Sequence, residues 1–249
     1  MEIIACVKRV PDTETRIKIL EDQSGISPEG VKYITSPYDE FALEAAVRMK
    51  EVIDSSTVIV MTLGDDGAQE NLRNALALGA DEAILLKGAV TMDGLATAKV
   101  LAEEIGIRNS DLVLFGVKAG DDDQQQVGPM VATLLGYKCV TNVTGFQIDG
   151  SIATCQRQIE GGNEIVELSL PAVITITKGE FEPRYPSLKG IMASKKKPLV
   201  TKDIEVPDSH LVVTGLEYPP EREGVHIVEE GSEGVAELIK LLREEAKVL

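Results

Sequence analysis

Thr57-Val58-Ile59-Val60-Met61-Thr62-Leu63 decides the fold. The run is β-branched or apolar from end to end, with no polar face, so it predicts a strand buried on both sides. Asp65-Asp66-Gly67 follows at once as a helix opening. Ala68, Leu72, Ala75 and Leu76 then recur at helical spacing up to a stop at Gly79. A doubly buried strand feeding an amphipathic helix is half of a βαβ unit.

The same alternation continues in both directions. Upstream, Ile3–Val7 reads as a short buried strand. Ser36-Pro37-Tyr38-Asp39 reads as a helix start, with Ser36 as cap, Pro37 at the first helical position and Asp39 reaching back toward the cap. Ala42, Ala45, Ala46, Met49 and Ile53 give that helix one apolar face. Downstream come a strand at 82–86, a helix marked by Leu95, Ala98, Leu101, Ala102 and Ile105, and a strand at 111–115 broken by Gly116. The pattern predicts an α/β fold: a doubly wound, mostly parallel sheet with helices on both faces. Ligands in such sheets bind beyond the carboxyl ends of the strands, which directs attention to the segments after Val7, Leu63 and Phe115.

Beyond Val140 the texture changes. Segments 140–148, 152–158 and 164–170 alternate around glycines and suggest antiparallel hairpins, and 172–177 returns to a buried strand. Residues 179–198 read as a loop rich in Gly, Pro and Lys, and 206–224 as an extended arm. The tail reads as a helix with Val235, Leu238, Ile239, Leu242 and Ala246 on one face. The expected organisation is an α/β domain over 1–205 followed by an arm and helix over 206–249.

Composition narrows the function. The chain has 249 residues and a net charge of −16, which disfavours nucleic-acid binding because such a surface repels phosphate backbones. No apolar run approaches the roughly 20 residues of a membrane span. The opening lacks the basic segment of a secretory signal, so a cytoplasmic location is expected. Cys6, Cys139 and Cys155 form no CxxC pair and read as small buried hydrophobes, with no disulfide framework or zinc site expected. His210 and His226 stand apart from any cysteine or carboxylate cluster, leaving little from which to build a hydrolytic triad.

Neither GxGxxG nor GxxxxGK[ST] is present, which argues against a dinucleotide fingerprint or a P-loop. Two other stretches stand out. Gly116–Met130 follows a strand, carries Asp121-Asp122-Asp123, and leads into an apolar helix starting near 124–128. It reads either as a phosphate site at a helix N-terminus or as a solvated acidic loop with a cap. In 179–198, Tyr185, Leu188, Ile191 and Met192 sit among turn formers, followed by Lys195-Lys196-Lys197. This reads equally as a protein-docking surface or as a loop whose apolar residues fold into the core.

Taken together the motifs resemble the β subunit of electron-transfer flavoproteins. The resemblance rests on Val7-Lys8-Arg9-Val10-Pro11-Asp12, on Gly30-Val31-Lys32-Tyr33 with Ser36-Pro37-Tyr38-Asp39-Glu40, and on Ala75–Asp81. Above all it rests on Glu182-Pro183-Arg184-Tyr185-Pro186-Ser187-Leu188 with Ile191-Met192 and Lys195-Lys196-Lys197. It implies a heterodimer in which an α subunit holds most of the FAD, and an electron-carrier role rather than an enzyme. It also implies flavin-dependent dehydrogenases as donors, and an arm that embraces the α subunit. An AMP would be buried in this chain; electron-bifurcating relatives that oxidise NADH hold a second FAD there instead. Carried over by position, the pocket would use Cys6, Ser36, Pro37, Tyr38, Asp39, Val60 and Leu63. The loop would add Gly116, Val117, Lys118, Ala119, Gly120, Asp121, Asp122, Asp123, Gln124, Gln125, Gln126 and Val127. Tyr185, Leu188, Ile191 and Met192 would meet the dehydrogenase. The sequence departs from the family at Ser36, where Asn is usual, at Lys118, where Gln is, and at Ala193, where Lys is common.

Overall fold

The computed structural model describes residues 1–88, 92–221, 224 and 226–249. The chain opens with β1 (Glu2–Cys6) and a small antiparallel pair, β2 (Arg9–Pro11) and β3 (Tyr33–Thr35). Next come α1 (Pro37–Val52), β4 (Thr57–Gly64), α2 (Ala68–Leu78), β5 (Glu82–Lys87), α3 (Gly94–Arg108), β6 (Leu112–Gly116) and α4 (Val127–Leu135). Three strands follow, β7 (Lys138–Asp149), β8 (Ile152–Ile159) and β9 (Gly162–Ser169), and then β10 (Ala172–Ile176). The last elements are α5 (Leu188–Ser194), β11 (Leu199–Asp203) and α6 (Val235–Glu244).

Nine strands form one sheet in the order β11-β5-β4-β1-β6-β10-β7-β8-β9. Every pairing from β11 to β7 is parallel; β7–β8 and β8–β9 are antiparallel. The chain moves from β1 outward to β4 and β5, then crosses back to β6 on the other side of β1. The gap between β1 and β6 is therefore the topological switch point. β9 and β11 are the two edges.

Successive strand residues point to opposite faces, and both faces are covered. Ile3, Ala5, Val58, Val60, Leu112 and Leu114 pack under α1 and α2. Ile4, Cys6, Ile59, Met61, Val113 and Phe115 pack under α3 and α4. The doubly wound α/β arrangement predicted by the apolar strands is present.

Several details differ from the sequence reading. Residues 179–198 are not all loop: Ser187 Oγ accepts the Gly190 N–H (3.0 Å) and starts α5. Ser36 precedes α1 but makes no side-chain cap, and Asp39 turns away from it toward two strand ends. β2, β3 and β11 were not foreseen. Cys139 is exposed, unlike Cys6 and Cys155. α6 buries none of its residues, and Val235, Leu238 and Ile239 lie open on its surface. No helix among the described residues is long and apolar enough to cross a membrane.

Candidate functional site

A cavity of about 420 Å³ opens at the carboxyl ends of β1, β4 and β6. Cys6 to Arg9 continue β1 into its wall, Met61, Leu63 and Gly64 close β4, and Phe115 to Ala119 extend β6. The start of α4, with Val127 and Gly128, and the inner side of α3, with Gly94, Thr97 and Leu101, complete the enclosure.

Asp39 joins the two strands at the switch point. The residue is 6% exposed, and its carboxylate accepts the Lys8 N–H (2.7 Å) and the Gly116 N–H (3.0 Å). Position 116 has no room for a side chain: a Cβ there would run into the Asp39 carboxylate and the Tyr38–Asp39 backbone. Burial raises the Asp39 carboxyl to about 7, against the pull of those two N–H groups and the Lys8 ammonium. Burial, and then the Asp39 charge, also push the Cys6 thiol far above its usual range, and Cys6 forms an apolar part of the wall.

The acidic loop is partly neutralised by two lysines, Lys8 from beyond β1 and Lys118 of the loop itself. Lys8 Nζ lies 2.8 Å from both Asp121 and Asp122, and Lys118 Nζ lies 2.6 Å from Asp123. Burial pulls Lys8 down, but its bonds to Asp121 and Asp122 outweigh this and raise it. The carboxylates are thus occupied by lysines. At α4 no acidic residue lies in the first turn and the N-cap residue Gln126 makes no side-chain cap. The Val127 and Gly128 N–H groups have no intrahelical partner and border the cavity, Pro129 having no N–H and Met130 donating to the Gln126 carbonyl (3.0 Å). This end of α4 can hold an anion by backbone donors and dipole. Asp123 and Gln125 have φ of 52° and 56°, the left-handed region that non-glycine residues seldom adopt, so the loop's path is tightly specified.

Of the predicted pocket residues, Cys6, Asp39, Leu63, Gly116, Val117, Lys118, Ala119, Asp121, Asp122, Gln124, Gln125, Gln126 and Val127 line the cavity. Ser36, Pro37, Tyr38, Gly120 and Asp123 stand behind it. Ser36 Oγ accepts the Gly120 N–H (3.3 Å), and the Lys118 ammonium sits 5.6 Å from the Tyr38 ring centroid. Val60 is fully buried in the core of the opposite face, beneath α1 and α2, so its side chain is not brought to the cavity. The sequence reading missed Arg9, Tyr33 and Asp65. The Arg9 guanidinium stacks on Tyr33 at 3.8 Å and lies 3.8 Å from Asp65, all on the cavity wall. Arg9 and Tyr33 stood inside the quoted motifs; what hid them was the β2–β3 pairing that brings them together.

The 179–198 segment resolves in favour of exposure. Tyr185 is 94% exposed, Leu188 83%, Met192 72% and Ile191 42%. Lys189, Lys195 and Lys196 flank them in solvent. Lys197 instead turns inward, and its Nζ donates to the carbonyls of Leu76 (2.9 Å) and Ala80 (2.5 Å). Arg184 fastens the start of the segment to α1, where its guanidinium meets both oxygens of Glu44 and those of Glu51. Arg48 adds bonds to the carbonyls of Glu180 and Glu182.

A doubly wound, Rossmann-like α/β sheet with its cavity at the switch point places the molecule in the class of α/β proteins that receive a ligand beyond their strand ends. The sequence model of the electron transfer flavoprotein domain matches residues 25–207. Full-length similarity runs the same way. The electron transfer flavoprotein subunit beta of Syntrophomonas wolfei is 37% identical over 249 residues, covering 100% of this chain and 98% of that one. Its Bacillus subtilis counterpart is 36% identical over 262 residues, covering 100% of both. The human one is 37% identical over 251 residues, covering 98% of each. The chain belongs to the electron transfer flavoprotein family, as a beta subunit.

Proposed function

We propose that this chain pairs with an α subunit that holds most of an FAD. Through that flavin the heterodimer passes electrons from flavin-dependent dehydrogenases, such as acyl-CoA dehydrogenases, to a downstream acceptor. The β chain keeps an AMP as a structural ligand and does no bond-making chemistry. The observation that carries the nucleotide assignment is the uncapped start of α4 opening on the cavity at the switch point. Its volume lies toward the small end of the range for ligand pockets, which suits a mononucleotide better than a dinucleotide such as FAD. The phosphate is assigned to the α4 N–H groups. The base is assigned to the apolar wall of Cys6, Leu63 and Phe115, and Lys8 holds the acidic loop over the mouth.

The exposed Tyr185, Leu188, Ile191 and Met192 are assigned to docking of the dehydrogenase. Their rim of Lys189, Lys195 and Lys196, on a chain of net charge −16, suits a partner with an acidic rim. Residues 206–249 are assigned as an arm that reaches the α subunit, since α6 has an apolar face and none of its residues is buried among the described residues. Acid release of the nucleotides from purified heterodimer tests the reading. One FAD and one AMP are expected. Two FAD would move the protein to the bifurcating, NADH-oxidising type, and FAD alone would leave the cavity without its assigned ligand.

A further inference from the structure

α5 is a helix of seven residues, too short to hold itself together in water. Packing does not explain it either, because among its residues only Ser194 is buried and its large apolar side chains face solvent. What holds it is a reciprocal arrangement with α2. Arg73, on α2, donates from Nη1 to the carbonyls of Ser194 (2.7 Å) and Lys197 (2.8 Å), at the end of α5. Lys197, just past α5, donates from Nζ to the carbonyls of Leu76 and Ala80, at the end of α2. Each helix thus receives its terminal cation from the other, at the end where the unpaired carbonyls and the negative pole of the dipole lie. Between the two pairs, Gly190 approaches the Ala77 carbonyl so closely that a Cβ would collide with it.

We infer that Arg73 and Lys197, with Gly190 between them, are positioning residues for partner recognition: they fix α5 on α2 so that Leu188, Ile191 and Met192 are presented in one preformed orientation. The inference rests on the docking role proposed above. A segment that must be ordered when its partner arrives loses affinity in proportion to the side chains and backbone immobilised, and a mounted one does not. The presented face stays largely free for the partner, Leu188 and Met192 above all, because the mount is made of carbonyls and cations. The effect is on encounter and affinity, not on the electron-transfer step, since none of the three residues touches the cavity.

The test uses reconstituted heterodimer of matched flavin content and the dehydrogenase that reduces it. Arg73→Met, Lys197→Met and Gly190→Ala are each compared with Leu188→Ala. The three mounting variants are expected to raise the half-saturating carrier concentration roughly fivefold to tenfold with the maximal rate unchanged. Hydrogen exchange should quicken at residues 188–194, and Arg73→Lys should recover most of the loss. Gly190→Ala leaves both cations in place and decides the matter if a charge variant fails to assemble. If Leu188→Ala weakens docking but Arg73→Met and Gly190→Ala do not, the mount has no part in recognition and the inference falls alone. If Leu188→Ala is also without effect, the docking role falls with it.

Discussion

Asp39 does at one position what a loop would otherwise do over many: it holds the ends of β1 and β6 at a fixed separation. Its folded carboxyl lies at about 7, above the ordinary value of 3.8. The folded chain therefore keeps a proton that the unfolded chain has released over that interval. The stability this adds is complete below about pH 4 and is lost as pH rises through about 7. Asp39→Asn removes the titration, and it leaves an amide N–H facing a backbone N–H, a cost of about 1–3 kcal/mol at any pH. The stability gap between wild type and variant should narrow from pH 4 to 7 and stay level above that. Urea unfolding across the range measures it, and a gap independent of pH would mean that Asp39 titrates normally. Position 128 is closed to a side chain from the β10 side. A Cβ at Gly128 would lie 2.8 Å from Thr175 Cγ2, so a larger residue there disturbs β10 before it reaches the cavity. Leu188, 83% exposed, stands at the other extreme. Burying a leucine side chain in a partner pocket is worth about 1.5–3 kcal/mol, so Leu188→Ala should weaken docking about tenfold or more. The flavin spectrum should be unchanged; transfer at the wild-type rate from dilute carrier would refute the assignment.

At the level of elements, legibility followed burial. β1, β4, β5 and β6 announced themselves because strands covered on both faces are apolar throughout. The same uniformity concealed which residue faces which side. Val60 and Met61 look equivalent in the run, yet one packs under α1 and α2 and the other under α3. β11 was invisible because it is an edge strand carrying Lys202 and Asp203, and Lys202 reaches Glu104 on α3 (2.7 Å). α5 was invisible for the opposite reason: periodicity reports burial, and α5 turns its apolar side outward. The Asp39 bonds span 31 and 77 residues, a separation no local pattern encodes. Asp93 is a cap with an added role, since it accepts N–H groups from Ala96 at the start of α3 and from His210 and Leu211 in the arm. These bonds lower its carboxyl to about 2. The arm's hold on α3 should therefore persist above the ordinary aspartate value and fail as pH falls toward 2, seen as early exchange of the Leu211 amide. Removing 224–249 should leave the sheet intact, because α6 contributes no strand and no buried residue. The same truncation should weaken co-purification with the α subunit, and undiminished recovery of the pair would place that contact elsewhere.

For the molecule as a whole, a ligand that binds only the folded form stabilises it with the logarithm of its free concentration over its Kd. AMP at a hundred times its Kd adds about 2.7 kcal/mol. In a chain of this length that is a rise of roughly 5–10 °C in Tm. Calorimetry of nucleotide-stripped heterodimer, with and without added AMP, should show it; no rise would leave the cavity unassigned. The long sheet also ends twice in unpaired backbone, and the two ends are not equally safe. β11 has five residues, whereas β9 has eight, mostly exposed, with Ile165 facing water. An eight-residue open ladder is a template on which a second copy can add a strand, and carboxylates at Glu164 and Glu167 are what discourage it. Replacing both with valine should turn the purified protein into a self-associating species by sedimentation, with its cavity unchanged. Protection of that rim against strand addition is thus assigned to two side chains far from the cavity, one of which, Glu164, also pairs across the ladder with Arg157 (3.0 Å).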